Sequence, residues 1–311
     1  MTDIRRAAII GTGTMGPGMG AVLARAGIET ALYDVSAAQL EKARAGVQLA
    51  ETVLDRLEAP ARDGGGIHFE SELEAALEGA DAVLEAVPEK LELKQELFPE
   101  LERHVGDDAI LASNTSGIPI TKIASVCTHP ERVVGMHWSN PPHLIPMIEV
   151  VPGERTAPAA VDATCELVRS FDYHPVVEKE VPGFVENRIL YAIMRECLDL
   201  VDRGVIDPEG LDLNVRWGIG YKLAVIGPME LLDMAGLDIY QAVGSYLNQD
   251  LSTSGEVSST IRGLIDEGRL GMKTGGGIYD YTPERIEELR ATRAARLVAV
   301  RKALEGQEPP G

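Results

Sequence analysis

Up to about residue 180, apolar positions fall in short, near-continuous runs, separated by longer stretches in which they recur at helical spacing. Past that point only the helical spacing survives. The runs at 7–10, 30–34, 82–87, 109–113, 133–138, 147–151 and 175–178 predict strands buried on both faces, as in a largely parallel sheet covered by helices. Leu40, Val47, Val53 and Leu57 predict a helix over 36–58, an excursion that Gly64-Gly65-Gly66 ends. The pattern changes at Val181-Pro182-Gly183, and helical periodicity then covers 184–203, 229–247 and 283–304. The expectation is an alternating α/β domain over 1–182 and an all-α domain over 183–311.

The first apolar run leads directly into glycines at Gly11, Gly13 and Gly16, the spacing of a dinucleotide-binding turn between a first strand and a first helix. Gly11 permits the tight turn, Gly13 lets the backbone approach a pyrophosphate, and Gly16 lets the helix lie close to the sheet. Thr14 and Met15 lie between the last two glycines, where the helix N-terminus offers N–H groups to phosphate. The second predicted strand ends in Asp34, where a carboxylate accepts hydrogen bonds from the adenosine ribose and repels a 2′-phosphate. No arginine follows it in Val35-Ser36-Ala37-Ala38, so the expected cofactor is NAD rather than NADP. The competing reading of Asp34 is a surface cap for the next helix. With the glycine turn in place, the expected fold class is a Rossmann-like α/β N-terminal domain plus an all-α C-terminal domain.

Composition narrows the classes of function. The 311 residues suffice for two domains, and 45% hydrophobic content supports full cores. No apolar run approaches the ~18 residues of a membrane span, and the apolar run behind Met1-Thr2-Asp3-Ile4-Arg5-Arg6 is too short for a signal peptide. Cys127, Cys165 and Cys197 are singly spaced, with no zinc pattern, which points to a reducing, cytoplasmic setting and no metal. A net charge of −20 argues against nucleic acid and mildly against a highly anionic substrate. The amphipathic 283–304 segment reads as a packed terminal helix rather than a membrane contact, and the tail 306–311 is expected to be loosely ordered.

His137 stands apart because it follows Val133-Val134-Gly135-Met136, near the C-terminal end of a strand, the edge where ligands bind in open α/β sheets. The proline-stiffened stretch Trp138-Ser139-Asn140-Pro141-Pro142-His143-Leu144-Ile145-Pro146 leads out, and Met147-Ile148-Glu149-Val150-Val151 returns. That path can bring Glu149, a carboxylate in an apolar run that needs a partner, against His137. Such a pair fixes the imidazole tautomer and lets the histidine act as general base; a satisfied structural histidine is the alternative. Ser113-Asn114-Thr115-Ser116 lies on the same sheet edge and can hold a substrate oxygen or a nicotinamide, although turn and cap chemistry explains it equally well. Asn187 can reach back toward that edge from the start of the helical domain.

These segments together resemble the 3-hydroxyacyl-CoA dehydrogenase family over nearly the whole chain. The motifs are Gly11-x-Gly13-x-x-Gly16, Ser113-Asn114-Thr115-Ser116, His137-x-x-Asn140-Pro141, Glu149, Pro182-Gly183-Phe184-x-x-Asn187-Arg188, Gly227-Pro228 with Asp233 and Gly236-Leu237-Asp238, and Gly271-x-Lys273-x-Gly275-x-Gly277-x-Tyr279. The resemblance implies an NAD-dependent dehydrogenase of 3-hydroxyacyl-type alcohols, dimeric through its helical domain. It implies His137 as general base, Glu149 as its orienting partner, Ser116 and Asn187 on the reacting oxygen, and Glu89 and Lys94 near the nicotinamide half of NAD. Two departures favour a smaller acid without CoA. Trp138-Ser139 replaces two aromatic residues. The excursion 36–66, which in the family helps grip CoA, carries only Lys42, Arg44, Arg56 and Arg62 as cations. The 137–149 run is closer to a side branch of the family that includes 5-formyl-3-hydroxy-2-methylpyridine-4-carboxylate dehydrogenase, carnitine dehydrogenase and lambda-crystallin. A non-catalytic NAD-binding protein of the crystallin kind is a further reading, opposed by the intact His137, Glu149, Ser116 and Asn187 set.

Overall fold

The structure is a computed structural model describing residues 4–305; the tail 306–311 lies outside the described residues. One eight-stranded sheet organises the first part of the chain. Its strands are β1 (Arg6–Ile10), β2 (Glu29–Tyr33), β3 (Ile67–Glu70), β4 (Ala82–Glu85), β5 (Ile110–Ser113), β6 (Val133–Trp138), β7 (Met147–Pro152) and β8 (His174–Val177). The spatial order is β3-β2-β1-β4-β5-β6-β7-β8. Strands β1 to β6 run parallel, β7 is antiparallel to β6, and β8 is parallel to β7. The chain proceeds outward from β1 to β3, then crosses back to place β4 on the other side of β1. That reversal opens a crevice beyond the C-terminal ends of β1 and β4.

Most of the apolar runs become strands because burial on both faces rewards continuous hydrophobicity: Ala7, Ala8, Ile9 and Ile10 are all buried, as are Ala82 to Glu85 and the whole of β6. The run at 175–178 departs from this: it forms the edge strand β8, where Val176 and Val177 are exposed. The connecting helices are α1 (Gly16–Arg25), α2 (Ala37–Arg56), α3 (Leu73–Leu77), α4 (Leu91–His104), α5 (Ile120–Ala124) and α6 (Pro158–Ser170). Leu40, Val47 and Val53 form the buried stripe of α2, and Ser36 caps it by accepting a hydrogen bond from the Gln39 N–H. One core gathers Ile10, Val83, Phe98, Leu101, Leu111, Ile123, Val133 and Phe184. The strand β3 was not predicted; it is a four-residue edge strand without a continuous apolar run.

Helix α7 (Phe184–Asp202) begins where the change of pattern predicted. The chain divides into two compact units after Arg188, a few residues beyond the expected boundary. The physical reason is that the first turn of α7 is hydrogen-bonded to β7 and to the loop after β5. The second unit is helical, with segments at Pro208–Asn214, Pro228–Ala235, Leu237–Asp250, Ser259–Asp266 and Pro283–Leu304. The helix predicted over 229–247 is two helices, broken where Gly236 adopts φ +99°. None of these five segments contains a buried residue.

Candidate active site

The three glycines of the turn after β1 differ in what surrounds them. Gly11 has φ +104°, and a Cβ there would meet the Ala86 carbonyl oxygen at 2.7 Å, so a side chain is excluded by both conformation and space. A Cβ on Gly16 would lie 2.4 Å from the Gly11 carbonyl oxygen, while one on Gly13 would meet nothing within 4 Å. Gly16 therefore serves close packing, and Gly13 faces open space. Thr14 is exposed, and Met15 sits at the N-cap position of α1. Asp34 holds the far side: Oδ2 accepts hydrogen bonds from the Thr12 N–H and hydroxyl, both at 3.0 Å, and Oδ1 accepts from the Ser36 N–H. A half-buried carboxylate fixed beside a vacant-sided glycine turn fits the ribose and pyrophosphate of a dinucleotide.

His137 and Glu149 meet because of sheet register. In the antiparallel β6–β7 pair they are directly opposite residues. His137 Nδ1 lies 2.6 Å from Glu149 Oε2, and both side chains are buried. With Nδ1–H donating to the carboxylate, Nε2 is left as the basic nitrogen. Glu149 Oε1 accepts from the N–H groups of Glu186, at 2.7 Å, and Val185, at 3.0 Å, in the first turn of α7. Burial alone pushes the Glu149 carboxyl up, but the hydrogen bonds from His137 and the two backbone donors outweigh it and hold the group below its ordinary value. Glu149 is thus ionised and able to stabilise an imidazolium. Phe184 packs its ring on His137, with centroids 5.7 Å apart, and is buried despite a φ of +51°. A left-handed aromatic residue in a core costs about 1–3 kcal/mol and persists only where its surroundings impose it.

The remaining predicted residues converge on the same edge. Asn114 accepts a hydrogen bond from the Trp138 N–H, 2.9 Å away, and so ties the end of β5 to the residue after His137. Asn187 donates from Nδ2 to the Ser116 carbonyl oxygen at 3.1 Å. Glu89 Oε1 accepts from the Thr115 hydroxyl, the Ser116 N–H and the Ser116 hydroxyl. Burial raises the Glu89 carboxyl, but the Thr115 bond and the Lys94 charge overcome that and lower it. Lys94 is fully enclosed: its ammonium bonds both oxygens of buried Glu85, at 2.7 and 2.8 Å, and lies 3.3 Å from Glu89. Its charge organises the loop that carries Glu89.

Several participants were not foreseen. The Val185 and Glu186 N–H groups act through the backbone and leave no residue signature. Glu85 lies inside an apolar strand, and Ser113 also donates to it, at 2.6 Å; a charge in such a run signals a buried partner. Glu178 shares the Val185 N–H with Glu149, and its carboxyl is pushed up to about 7 by burial and by the adjacent Glu149 charge. The Ser139 hydroxyl donates to Glu186 Oε2. Either residue was visible as a polar side chain beside the motif, but their pairing depends on the fold.

A glycine turn at the switch point of the sheet and a buried histidine–carboxylate pair on the same sheet are the parts that an NAD-dependent dehydrogenase needs. The family model for the 3-hydroxyacyl-CoA dehydrogenase NAD-binding domain matches residues 6–181, and that for the C-terminal domain matches residues 183–281. The chain belongs to the 3-hydroxyacyl-CoA dehydrogenase family. It is 54% identical over 308 residues to 5-formyl-3-hydroxy-2-methylpyridine 4-carboxylate 5-dehydrogenase of Mesorhizobium japonicum, covering 98% of this chain and 100% of the relative. A crystal structure of a 5-formyl-3-hydroxy-2-methylpyridine 4-carboxylic acid 5-dehydrogenase, described as an NAD+-dependent dismutase, superposes with a TM-score of 0.95 at 54% identity, covering 98% of this chain and 100% of that one. The (S)-3-hydroxybutyryl-CoA dehydrogenase of Ralstonia eutropha gives a TM-score of 0.72 at 31% identity, covering 90% and 100%.

Proposed function

We propose that this protein oxidises the aldehyde of a small pyridine carboxylate, 5-formyl-3-hydroxy-2-methylpyridine 4-carboxylate or a close analogue, rather than a 3-hydroxyacyl-CoA thioester. The similarity at 54% identity and a TM-score of 0.95, across both chains, carries this reading. The surface of the 36–66 excursion agrees with it. Arg44 bonds Glu41 and lies over the Phe69 ring, and Arg62 pairs with Asp172, so two of its four cations are engaged within the protein. Residues 1–182 hold the dinucleotide in this scheme, and 183–311 are assigned to substrate binding and dimerisation.

The hydrated aldehyde is a gem-diol, an alcohol for the purposes of the family's chemistry. NAD supplies the hydride acceptor when bound. Its pyrophosphate is assigned to Gly11, Gly13, Thr14, Met15 and Gly16, its ribose to Asp34, and its nicotinamide side to Glu89 and Asn114. Lys94 supports Glu89 from beneath. His137 takes a hydroxyl proton of the gem-diol at Nε2 as hydride leaves the same carbon, and the acid is released. Glu149 holds the imidazolium while it carries that proton. Ser116 and Asn187 position the reacting oxygen.

The helical unit supports a homodimer. Its helices bury none of their own residues, and Tyr191, Trp217, Tyr221, Met229, Met234 and Tyr246 are exposed. So much apolar surface needs a partner. The three cysteines are unpaired, in keeping with a cytoplasmic enzyme. No helix among the described residues is long and apolar enough to cross a membrane. The deciding experiment measures kcat/KM, by NADH absorbance, with the pyridine aldehyde and with acetoacetyl-CoA. The aldehyde is expected to win by orders of magnitude; a preference for the thioester would return the protein to the main line of its family.

A further inference from the structure

We infer that Glu186, steered by Ser139, is a second general base at this site, one that activates the water that hydrates the aldehyde. This deepens the proposed function and rests on it. His137, Glu149 and Glu186 each present a side-chain nitrogen or oxygen within 4.8 Å of the other two. One water molecule spans such a gap. Glu149 is committed elsewhere, with Oε2 bonded to His137 and Oε1 to two backbone N–H groups. Glu186 is half-buried in the first turn of α7, and its backbone N–H is one of the donors to Glu149. The buried Ser139 hydroxyl, two residues past His137, fixes one of its oxygens. Of the two carboxylates that share this reach with His137, one is spent on the histidine and one is held beside it.

A separate group for water addition suits the chemistry of an aldehyde. His137 is the proton acceptor for hydride transfer. A carboxylate beside it handles the water proton while the imidazole stays aligned for that transfer. Glu186 takes a proton from water as the water oxygen bonds to the carbonyl carbon, and the carbonyl π pair moves to its oxygen. The protonated Glu186 returns that proton to the same oxygen, so the sum is water added across the C=O bond. His137 then takes a hydroxyl proton as hydride passes to NAD, leaving the carboxylic acid and NADH. Reduction of the same aldehyde to an alcohol by NADH consumes no water.

The test compares the two directions in the full-length protein. Rates of aldehyde oxidation with NAD and of aldehyde reduction with NADH are measured for the wild type, Glu186→Gln, Glu186→Asp and Ser139→Ala. In Glu186→Gln the ratio of oxidation to reduction is expected to fall by about 10²-fold, the low end for loss of a general base. Glu186→Asp should recover part of the ratio, and Ser139→Ala should lower it severalfold. An unchanged ratio in Glu186→Gln, with both rates reduced together or neither reduced, overturns the assignment. Should Glu186→Gln fail to fold, Ser139→Ala decides by the same ratio. A wild type that reacts with acetoacetyl-CoA but neither oxidises nor reduces the pyridine aldehyde overturns the substrate reading first, and this inference with it.

Discussion

His137 is one of six histidines, and what separates it from the others is a buried carboxylate aligned by register and charged by its own hydrogen bonds. His137→Ala is expected to lower turnover by about 10²–10⁴-fold while leaving NADH affinity, read by fluorescence titration, nearly unchanged. Near-normal turnover would remove the base from the mechanism. Glu178 gives a second test through pH. Its carboxyl titrates near 7 instead of the ordinary 4.5, so the folded protein holds a proton there that the unfolded chain releases. Stability contributed by this group is present below about 4.5, declines as pH rises toward 7, and is fully lost above it. Glu178→Gln should flatten that part of the Tm-versus-pH curve. It should also remove an inflection near neutrality from the kcat profile, because the Glu178 charge faces Glu149 and, through it, His137. A variant with both curves unchanged would show that Glu178 is uncoupled from the pair.

Elements explain which residues were legible. The parallel strands could be read because burial on both faces writes a continuous apolar run, and the glycine turn because its constraints are backbone constraints that only glycine meets. The edge strand β3 escaped because it is short and only partly buried. The helix break at Gly236 escaped because apolar spacing continues through it. The His137–Glu149 pair could be anticipated from an out-and-back path, whereas the capping of Glu149 by α7 joins residues 36 and 37 positions apart through the backbone alone. Lys94 shows how motif reading and packing divide: its placement near the cofactor follows from resemblance, and its salt bridge to Glu85 follows from burial. Lys94→Met leaves an enclosed carboxylate unpaired, and urea unfolding should show a loss of about 3–5 kcal/mol. The double change with Glu85→Gln should recover part of it. A fully stable Lys94→Met protein with weakened NAD binding would instead favour direct contact with the cofactor. At the end of β2, Asp34→Ala should weaken NAD binding by about 1.5–3 kcal/mol, measured by calorimetry, since it removes charge-assisted bonds to the ribose.

At the scale of the whole molecule, the sheet unit closes a core of its own, whereas the exposure of Tyr191, Trp217, Tyr221 and Met234 leaves the helical unit with apolar surface still in water. Light scattering with size-exclusion chromatography should therefore report a dimer of about twice 33.4 kDa, with a midpoint of unfolding that rises with protein concentration. A monomer at micromolar concentration would refute the pairing. The antiparallel turn of β7 has one more consequence, and it concerns how such an enzyme can change over evolutionary time. Ladder hydrogen bonds set the distance between His137 and Glu149, so the segment 140–146, beyond Ser139, is under no obligation to keep its length or composition for their sake. Substitutions there can retune what the enzyme accepts while proton transfer between that pair is inherited intact, which lets one ancestral scaffold diversify in substrate without reinventing its chemistry.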